Sequence, residues 1–136
     1  MSIVKIRAAL EETLVGIDPT FPTAYENTTY TPVDGTPYQR AYLMLGTPDN
    51  STMGGNFYRE TGIFQVNLYY PLQSGTATVS AKADAIRNAF KRGNSFVKDD
   101  HVITIDKTPE IPQGVVDVDR WMQSVKIRFY ANLLAS

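Results

Sequence analysis

The stretch between Glu60 and Gly93 changes its hydrophobic period midway, and this change constrains the fold more than any other feature. Apolar and polar residues first alternate, which is typical of a strand with one buried face; its apolar positions are Phe64, Val66, Leu68 and Tyr70. Pro71 lacks a backbone N–H and therefore ends the strand, and Ser74-Gly75 forms a turn. The following three-to-four spacing predicts an amphipathic helix that closes at Gly93, with Val79, Ala83, Ile86 and Phe90 on its buried side.

The first residues also predict a helix, from Ser2 to about Val15, which Gly16 and Pro19 end. Its apolar stripe consists of Ile3, Ile6, Leu10, Leu14 and Ile17. Packing into a core explains this stripe fully, so we assign it no other role.

The segment Asp18–Gln39, here called the arm, has prolines at four positions that interrupt regular structure: Pro19, Pro22, Pro32 and Pro37. Aromatic side chains recur along it at Phe21, Tyr25, Tyr30 and Tyr38. A segment of about 20 residues is long for a loop in a compact domain. Two interpretations stay open: the arm holds down one edge of its own sheet, or it lies on a neighbouring subunit.

The remaining segments read as strands joined by tight turns. The glycine-rich stretch Gly46–Asn56 predicts a hairpin tip between two antiparallel strands, and Asp99-Asp100 predicts a second hairpin turn. The predicted strands are Arg40–Leu45, Tyr58–Tyr70, Ser95–Lys98, Val102–Ile105, Val115–Val118 and Arg120–Leu133. Together these elements predict one α+β domain over residues 1–136, a two-layer sandwich of a mainly antiparallel sheet with two main helices packed on one face.

Composition excludes several classes of function. The net charge of −1 gives no overall attraction to nucleic acid or to an anionic membrane. The absence of cysteine excludes disulfides, thiolate metal sites and cysteine nucleophiles. No apolar run approaches the roughly 20 residues of a membrane span, so we expect a soluble protein made in the cytoplasm.

Candidate chemical groups are few. His101 is the single histidine, and a catalytic triad would require Asp99 or Asp100 to orient it, within a turn where all three side chains are solvated. Asp117 and Asp119 match only the first fragment of a calcium loop, and alternation in an extended segment explains them. We therefore predict no catalytic, cofactor-binding or metal-binding residues, and no enzyme.

Three segments together resemble a known family: the strand ETGIFQVNLYYP, the helix end ADAIRNAFKRG and the final strand WMQSVKIRFYA. They resemble the phage tail terminator-like family, small proteins of siphophages and prophages that are similar to the tail terminator of lambda-like phages. The likeness spans roughly Arg40 to Ala131, with its most specific part in the strand-Pro-Gly-helix section.

The resemblance implies a structural virion protein that caps the tail tube, stops its elongation and provides the interface for head joining. It implies a ring of six copies at the head-proximal end of the tail, in contact with the major tail tube protein and a head-completion or neck protein. DNA would pass through the ring without specific binding. Another neck protein, such as a head-tail connector or head-closure component, is the alternative, and a small-molecule-binding α+β domain is a more distant one.

Within such a ring, we expect subunit or tube contacts from the arm and from the Gly46–Asn56 hairpin. The residues expected to make them are Phe21, Tyr25, Tyr30, Met53 and Asn56. Asp99 and Asp100 would face the lumen, where their charge would repel DNA phosphates from the channel wall.

Overall fold

The computed structural model describes residues 2–48, 57–98 and 101–134. Two helices and seven strands lie in this part of the chain, and both long hydrophobic patterns form the elements that they predict. In chain order the elements are α1 (Ser2–Ile17), β1 (Thr23–Tyr25), β2 (Tyr38–Leu45), β3 (Phe57–Pro71), α2 (Ala77–Ala89), β4 (Ser95–Lys98), β5 (His101–Ile105), β6 (Val115–Asp117) and β7 (Arg120–Leu134).

The strands form one sheet in the order β1-β2-β3-β7-β5-β4, and β6 pairs with the beginning of β7. Only β1 and β2 run parallel; the other pairs are antiparallel. The sheet is built around β3 and β7, which pair along their full length from Phe57↔Leu134 to Pro71↔Arg120. Both helices pack against one face, which confirms the predicted two-layer α+β fold.

One hydrophobic cluster joins the helices to the sheet. Helix α1 contributes Ile6, Leu10 and Leu14, all fully buried, and α2 contributes Val79, Ala83 and Ile86. They meet the alternate residues of the strands, chiefly Phe64, Val66, Leu68, Val125, Ile127 and Phe129. Burying each large side chain stabilises the fold by about 1.5–3 kcal/mol, so this layer holds the helices on the sheet.

The opposite face of the sheet carries no helix. Because side chains alternate along a strand, this face holds the even-numbered residues of β2 and β7 and the odd-numbered residues of β3. We call it the open face. Tyr42, Gln65 and Lys126 are neighbours in one of its rows, and each is only half-buried.

Both helices end at positions other than those predicted. Helix α1 continues through Gly16 to Ile17, and its first stripe residue, Ile3, is 43% exposed rather than buried. Helix α2 ends at Ala89: the next residue, Phe90, is fully buried and has left helical geometry. Gly93, at φ +87, instead forms the turn into β4 and donates its N–H to the Ile105 carbonyl at 2.9 Å.

The chain reverses one residue earlier than predicted in its last hairpin. Strand β6 stops at Asp117, which pairs with Arg120, so Val118 and Asp119 form a two-residue turn. The expected extended alternation at Asp117-Val118-Asp119 is therefore wrong. Val118 adopts φ +55, a left-handed conformation that β-branched residues rarely take.

Candidate functional site

The arm packs on its own sheet. Its strand β1 pairs with β2, and the Gln39 N–H donates to the Pro22 carbonyl at 3.0 Å. The Phe21 ring lies 6.2 Å from Tyr70 on the helix side. On the open face, Tyr30 lies 5.0 Å from Tyr38, which stacks on Tyr69 at 4.8 Å; the arm thus covers both sides of the β1–β2 edge.

Arg120 fastens the far part of the arm to β7. Its side chain is only 6% exposed, and its guanidinium donates to the Thr36 carbonyl at 2.6 Å and to the Val33 carbonyl at 2.7 Å. The same group lies 5.0 Å from the centre of the Tyr38 ring. The two hydrogen bonds satisfy the buried charge, so Arg120 is a structural clamp for the arm.

A carboxylate and an amine anchor the beginning of the arm. Glu26 accepts hydrogen bonds from the Leu43 N–H at 2.6 Å and from Arg7 at 2.9 Å; burial opposes its ionisation, but these two donors lower the pKa of Glu26. The Lys82 ammonium lies 4.3 Å from the centre of the Phe21 ring, and burial lowers the pKa of Lys82. Its nitrogen is inaccessible to solvent and has no hydrogen-bond partner among the described residues.

The open face is basic. Its described strand residues from β2, β3 and β7 include Arg40, Arg59, Arg120, Lys126 and Arg128, and no carboxylate. At the margin of this face, the backbone of Glu110 forms an isolated antiparallel β-bridge with Lys126. The Glu110 carboxylate forms an ion pair with Arg128 at 3.2 Å. Two carboxylates lie beside these cations on the same side of the sheet, because Asp117 pairs with Arg120 and Glu110 pairs with Lys126 in the ladder. Tyrosines lie between the cations, and burial raises the pKa of Tyr69 to about 12, which keeps its hydroxyl neutral.

A hollow of about 300 Å³ lies at the β2 end of this basic surface. Met44, Ile63 and Arg128 share one row of the open face and line the hollow together with Leu45. Met44 is 44% exposed and Leu45 is 38% exposed. Asp106 lines the hollow as well, so it combines exposed apolar side chains with one cation and one carboxylate.

The β6–β7 hairpin has the opposite charge. Its valines are unusually exposed: 46% for Val115, 61% for Val116 and 91% for Val118. Asp117 and Asp119 lie on either side of Val118. We call residues 115–119 the valine hairpin; it presents apolar side chains and negative charge at the end of the sheet opposite to the hollow.

The predicted contact residues occupy different environments. Phe21 and Tyr30 are half-buried against the chain itself, as described above. Tyr25 is 37% exposed and borders a second hollow, of about 520 Å³, between β1 and α1. Met53, Asn56, Asp99 and Asp100 lie outside the described residues.

Potential metal ligands do not cluster in the part of the chain that the structure describes. No group of three or more potential metal ligands occurs within residues 2–48, 57–98 and 101–134. His101 begins β5 and pairs with Lys98 in the ladder. In the same residues, no helix is long and apolar enough to cross a membrane.

The sequence analysis did not identify Arg120, Lys82 or Val118 as important positions. Arg120 and Lys82 act through partners that are distant in sequence, and no local pattern marks such partners. For Val118 a signal exists: Asp117-Val118-Asp119-Arg120 separates two apolar runs by two residues, which is the spacing of a tight hairpin.

The family model described as phage tail terminator protein matches residues 5–129, so the chain belongs to the phage tail terminator family and is a tail-associated structural protein of the virion. No curated protein matches the chain.

Two solved structures are similar in fold. One is 22% identical and aligns with a TM-score of 0.76 over 100% of this chain and 99% of its own. A chain from the virion of a native gene transfer agent particle is 19% identical, with a TM-score of 0.54, and the match covers 98% of this chain and 97% of that one. At these identities the two likenesses show the fold alone.

Proposed function

We propose that this protein caps the tail tube, stops its elongation and provides the surface on which the head joins the tail. The observation that carries the proposal is the match of the tail terminator family model over residues 5–129. The likeness in fold to a chain of a gene transfer agent virion, at a TM-score of 0.54, is consistent with a place in a virion.

The proposed working form is a ring of six copies at the head-proximal end of the tail. Its partners are the major tail tube protein on one side and a head-completion or neck protein on the other, and DNA passes through without specific binding. The sheet supports a ring because its two faces differ: one is covered by helices and the other is not, and two different surfaces on one subunit allow head-to-tail contacts that close by rotation.

The arm and the Gly46–Asn56 hairpin remain the proposed regions for contact with the next subunit or with the tube. Of the arm aromatics, Tyr25 is the best placed, because it is exposed beside the 520 Å³ hollow while Phe21 and Tyr30 pack on the chain itself. Asp99 and Asp100 are proposed to face the lumen.

Labelled electron microscopy tests the proposal. A tagged copy of the protein, detected by gold or antibody, is mixed separately with tail tubes and with tailless capsids of the same phage. Label at one tube end, with heads joining only the labelled tubes, is the expected result. Label on the capsid portal with bare tube ends would instead assign the protein to the neck connectors.

A further inference from the structure

The outer edge of β2 is only partly covered by a strand. Strand β1 pairs with three of the eight residues of β2, at its beginning. The chain then turns at Asn27, which adopts φ +57, and the Glu26 carboxylate accepts the Leu43 N–H at 2.6 Å where a continued β1 would offer a backbone carbonyl. We call residues 42–45 of β2 the notch, because no strand of the described residues pairs with their outer edge.

The hydrogen bonds of β2 show which backbone groups point into the notch. The Gln39 N–H donates to the Pro22 carbonyl and the Leu43 N–H donates to Glu26, both on the side away from β3. Donors and acceptors alternate between the two sides of a strand, so the odd-numbered residues of β2 direct both groups outward. The Leu43 carbonyl and the Leu45 N–H therefore point into the notch, ready for a further strand.

Strand β4 is the opposite edge of the same sheet, and its outer side is also unpaired. The Ile105 N–H donates to the Asn94 carbonyl, and hydrogen-bonded pairs alternate with non-hydrogen-bonded pairs from there along β4. Val97 faces Val102 in a non-hydrogen-bonded pair, so its N–H and C=O both point outward. The Val97 side chain lies on the open-face side of the sheet and is 68% exposed.

The two edges have the strand direction that a ring requires. Four antiparallel pairings lead from β2 through β3, β7 and β5 to β4, so β2 and β4 run in the same direction. Rotation about a ring axis that lies roughly along the strands preserves this direction, so β4 of one copy would pair parallel with β2 of the next. A parallel strand fits the notch, because β1 occupies the beginning of the same edge and runs parallel to β2.

The register and the faces of the two strands agree as well. With Val97 opposite Met44, the Val97 N–H would donate to the Leu43 carbonyl, which is the pattern of a parallel pair. The Val97 carbonyl would accept the Leu45 N–H. This register places Val97 beside Met44 on the open face, where Met44 is 44% exposed. Two exposed apolar side chains would be buried together, and the notch residues carry no charge that opposes the contact.

We propose that β4 of one copy fills the notch of the next copy as a parallel strand, so that one sheet continues from subunit to subunit. Within one chain the two edges do not meet, because β3, β7 and β5 lie between them. An unpaired edge is a template for a strand of another chain, and a contact between opposite edges is heterologous, so it propagates until it closes. This inference rests on the proposed ring and names the strands that join its subunits.

Cysteine trapping tests the contact even when association is weak, because the chain contains no cysteine. A Met44→Cys/Val97→Cys variant, purified reduced, is oxidised in solution and on tube ends, and it is compared with a Met44→Cys/Asp84→Cys control. Asp84 is exposed on α2, on the helix side of the sheet. Three strands separate positions 44 and 97 within one chain, and a disulfide needs Cα atoms within about 7 Å, so the 97–44 pair forms only between copies.

The expected result is a series of covalent dimers, trimers and higher oligomers from the 97–44 pair, several-fold more abundant than from the control pair. Equal, low cross-linking from both pairs, in solution and on tubes, would overturn the proposal.

A proline variant and its matched control separate strand pairing from side-chain contact. Leu45→Pro, added to the cysteine pair, removes the N–H that the Val97 carbonyl would accept, whereas Leu45→Ala in the same background keeps it. An edge strand tolerates proline where the N–H points away from the sheet, and circular dichroism melting checks the fold of both variants. Leu45→Pro should lower the yield of 97–44 oligomers by about tenfold, and Leu45→Ala by less than about threefold. An unchanged yield from folded Leu45→Pro would contradict strand pairing.

The outcome separates this contact from the function itself. Tube capping without the 97–44 oligomers would leave the proposed function standing and refute the contact. Oligomers without capping would support the contact and refute the function. If Leu45→Pro leaves the oligomers unchanged but abolishes binding to tube ends, the notch binds the tube protein and the copy-to-copy proposal is wrong.

Discussion

Removal of the Arg120 guanidinium should release the arm and destabilise the whole fold. The side chain is 6% exposed and makes two hydrogen bonds, to the carbonyls of Thr36 and Val33, at 2.6 and 2.7 Å. Hydrogen bonds of a charged donor are each worth about 1.5–3 kcal/mol. The arm carbonyls can be hydrated once released, and desolvation of the buried charge offsets part of the gain, so the lower end of this range applies.

We therefore expect Arg120→Ala to lower the free energy of unfolding by about 3 kcal/mol, and Arg120→Lys by roughly half of that. Lysine keeps the charge but cannot form the two-pronged contact. Urea unfolding followed by circular dichroism gives the free energies, and limited proteolysis within residues 26–37 reports arm release directly.

Arg40 supplies the matched control for this experiment. Its guanidinium also lies near the Tyr38 ring, at 5.6 Å, but its side chain makes no hydrogen bond to the arm among the described residues. Arg40→Ala should therefore change stability by less than about 1 kcal/mol. The reasoning is refuted if Arg120→Ala is as mild as Arg40→Ala, or if Arg120→Lys is as stable as the wild type.

Three further predictions concern single side chains. Because burial lowers the Lys82 pKa in the folded state, the unfolded chain binds more protons at this group in the alkaline range below pH 10.5, and the contribution of Lys82 to stability should rise with pH there. The stability of the wild type relative to Lys82→Met should therefore rise with pH in melting curves over this range, and a difference that stays constant would exclude this cause. Gly62→Ala should lower the free energy of unfolding in urea by about 2–3 kcal/mol, because the new Cβ would lie 2.6 Å from the Met44 carbonyl oxygen. Gly16→Ala is the control: its Cβ would meet open space, so it should be neutral or stabilising, and similar values for both variants would contradict the packing argument. Val118→Gly should be equal to the wild type or up to about 1 kcal/mol more stable thermally, and a clear loss of stability would show that φ +55 is not strained for valine here.

The regular parts of the fold were predictable because their signals are local. Alternation along β3 and β7 predicted two strands that pair antiparallel, and they do so over fifteen residues each. The stripe of α1 was predicted for the same reason, since Ile6, Leu10 and Leu14 all reach the core. Such patterns report which side of an element is buried, which is enough to predict two layers.

The arm and the helix ends depended on contacts that sequence patterns do not carry. Arg120 reaches arm carbonyls 84 and 87 residues away, so the composition of the arm did not reveal what holds it. Helix α2 ends at Ala89, ahead of the predicted glycine stop, because packing of Phe90 into the core outweighs the local signal.

Some of the candidate contact surfaces could be predicted from the sequence and others could not. The aromatic residues of the arm stand out in the sequence, but their environments differ: Tyr25 is 37% exposed, while Tyr30 packs on Tyr38. The basic open face was not predicted, because its cations are spread over β2, β3 and β7 and only the strand register assembles them. Net charge, at −1, does not reveal that these cations lie on one face.

The central claim is that this protein ends growth of the tail tube, and tube length tests it most directly. Purified tail tube protein would be polymerised with increasing amounts of the protein, and the tube lengths measured by negative-stain electron microscopy. The account predicts shorter tubes that carry density at one end and do not lengthen when fresh tube protein is added. Tubes that keep the same length distribution at every amount of the protein, and that continue to grow when fresh tube protein is added, would contradict it.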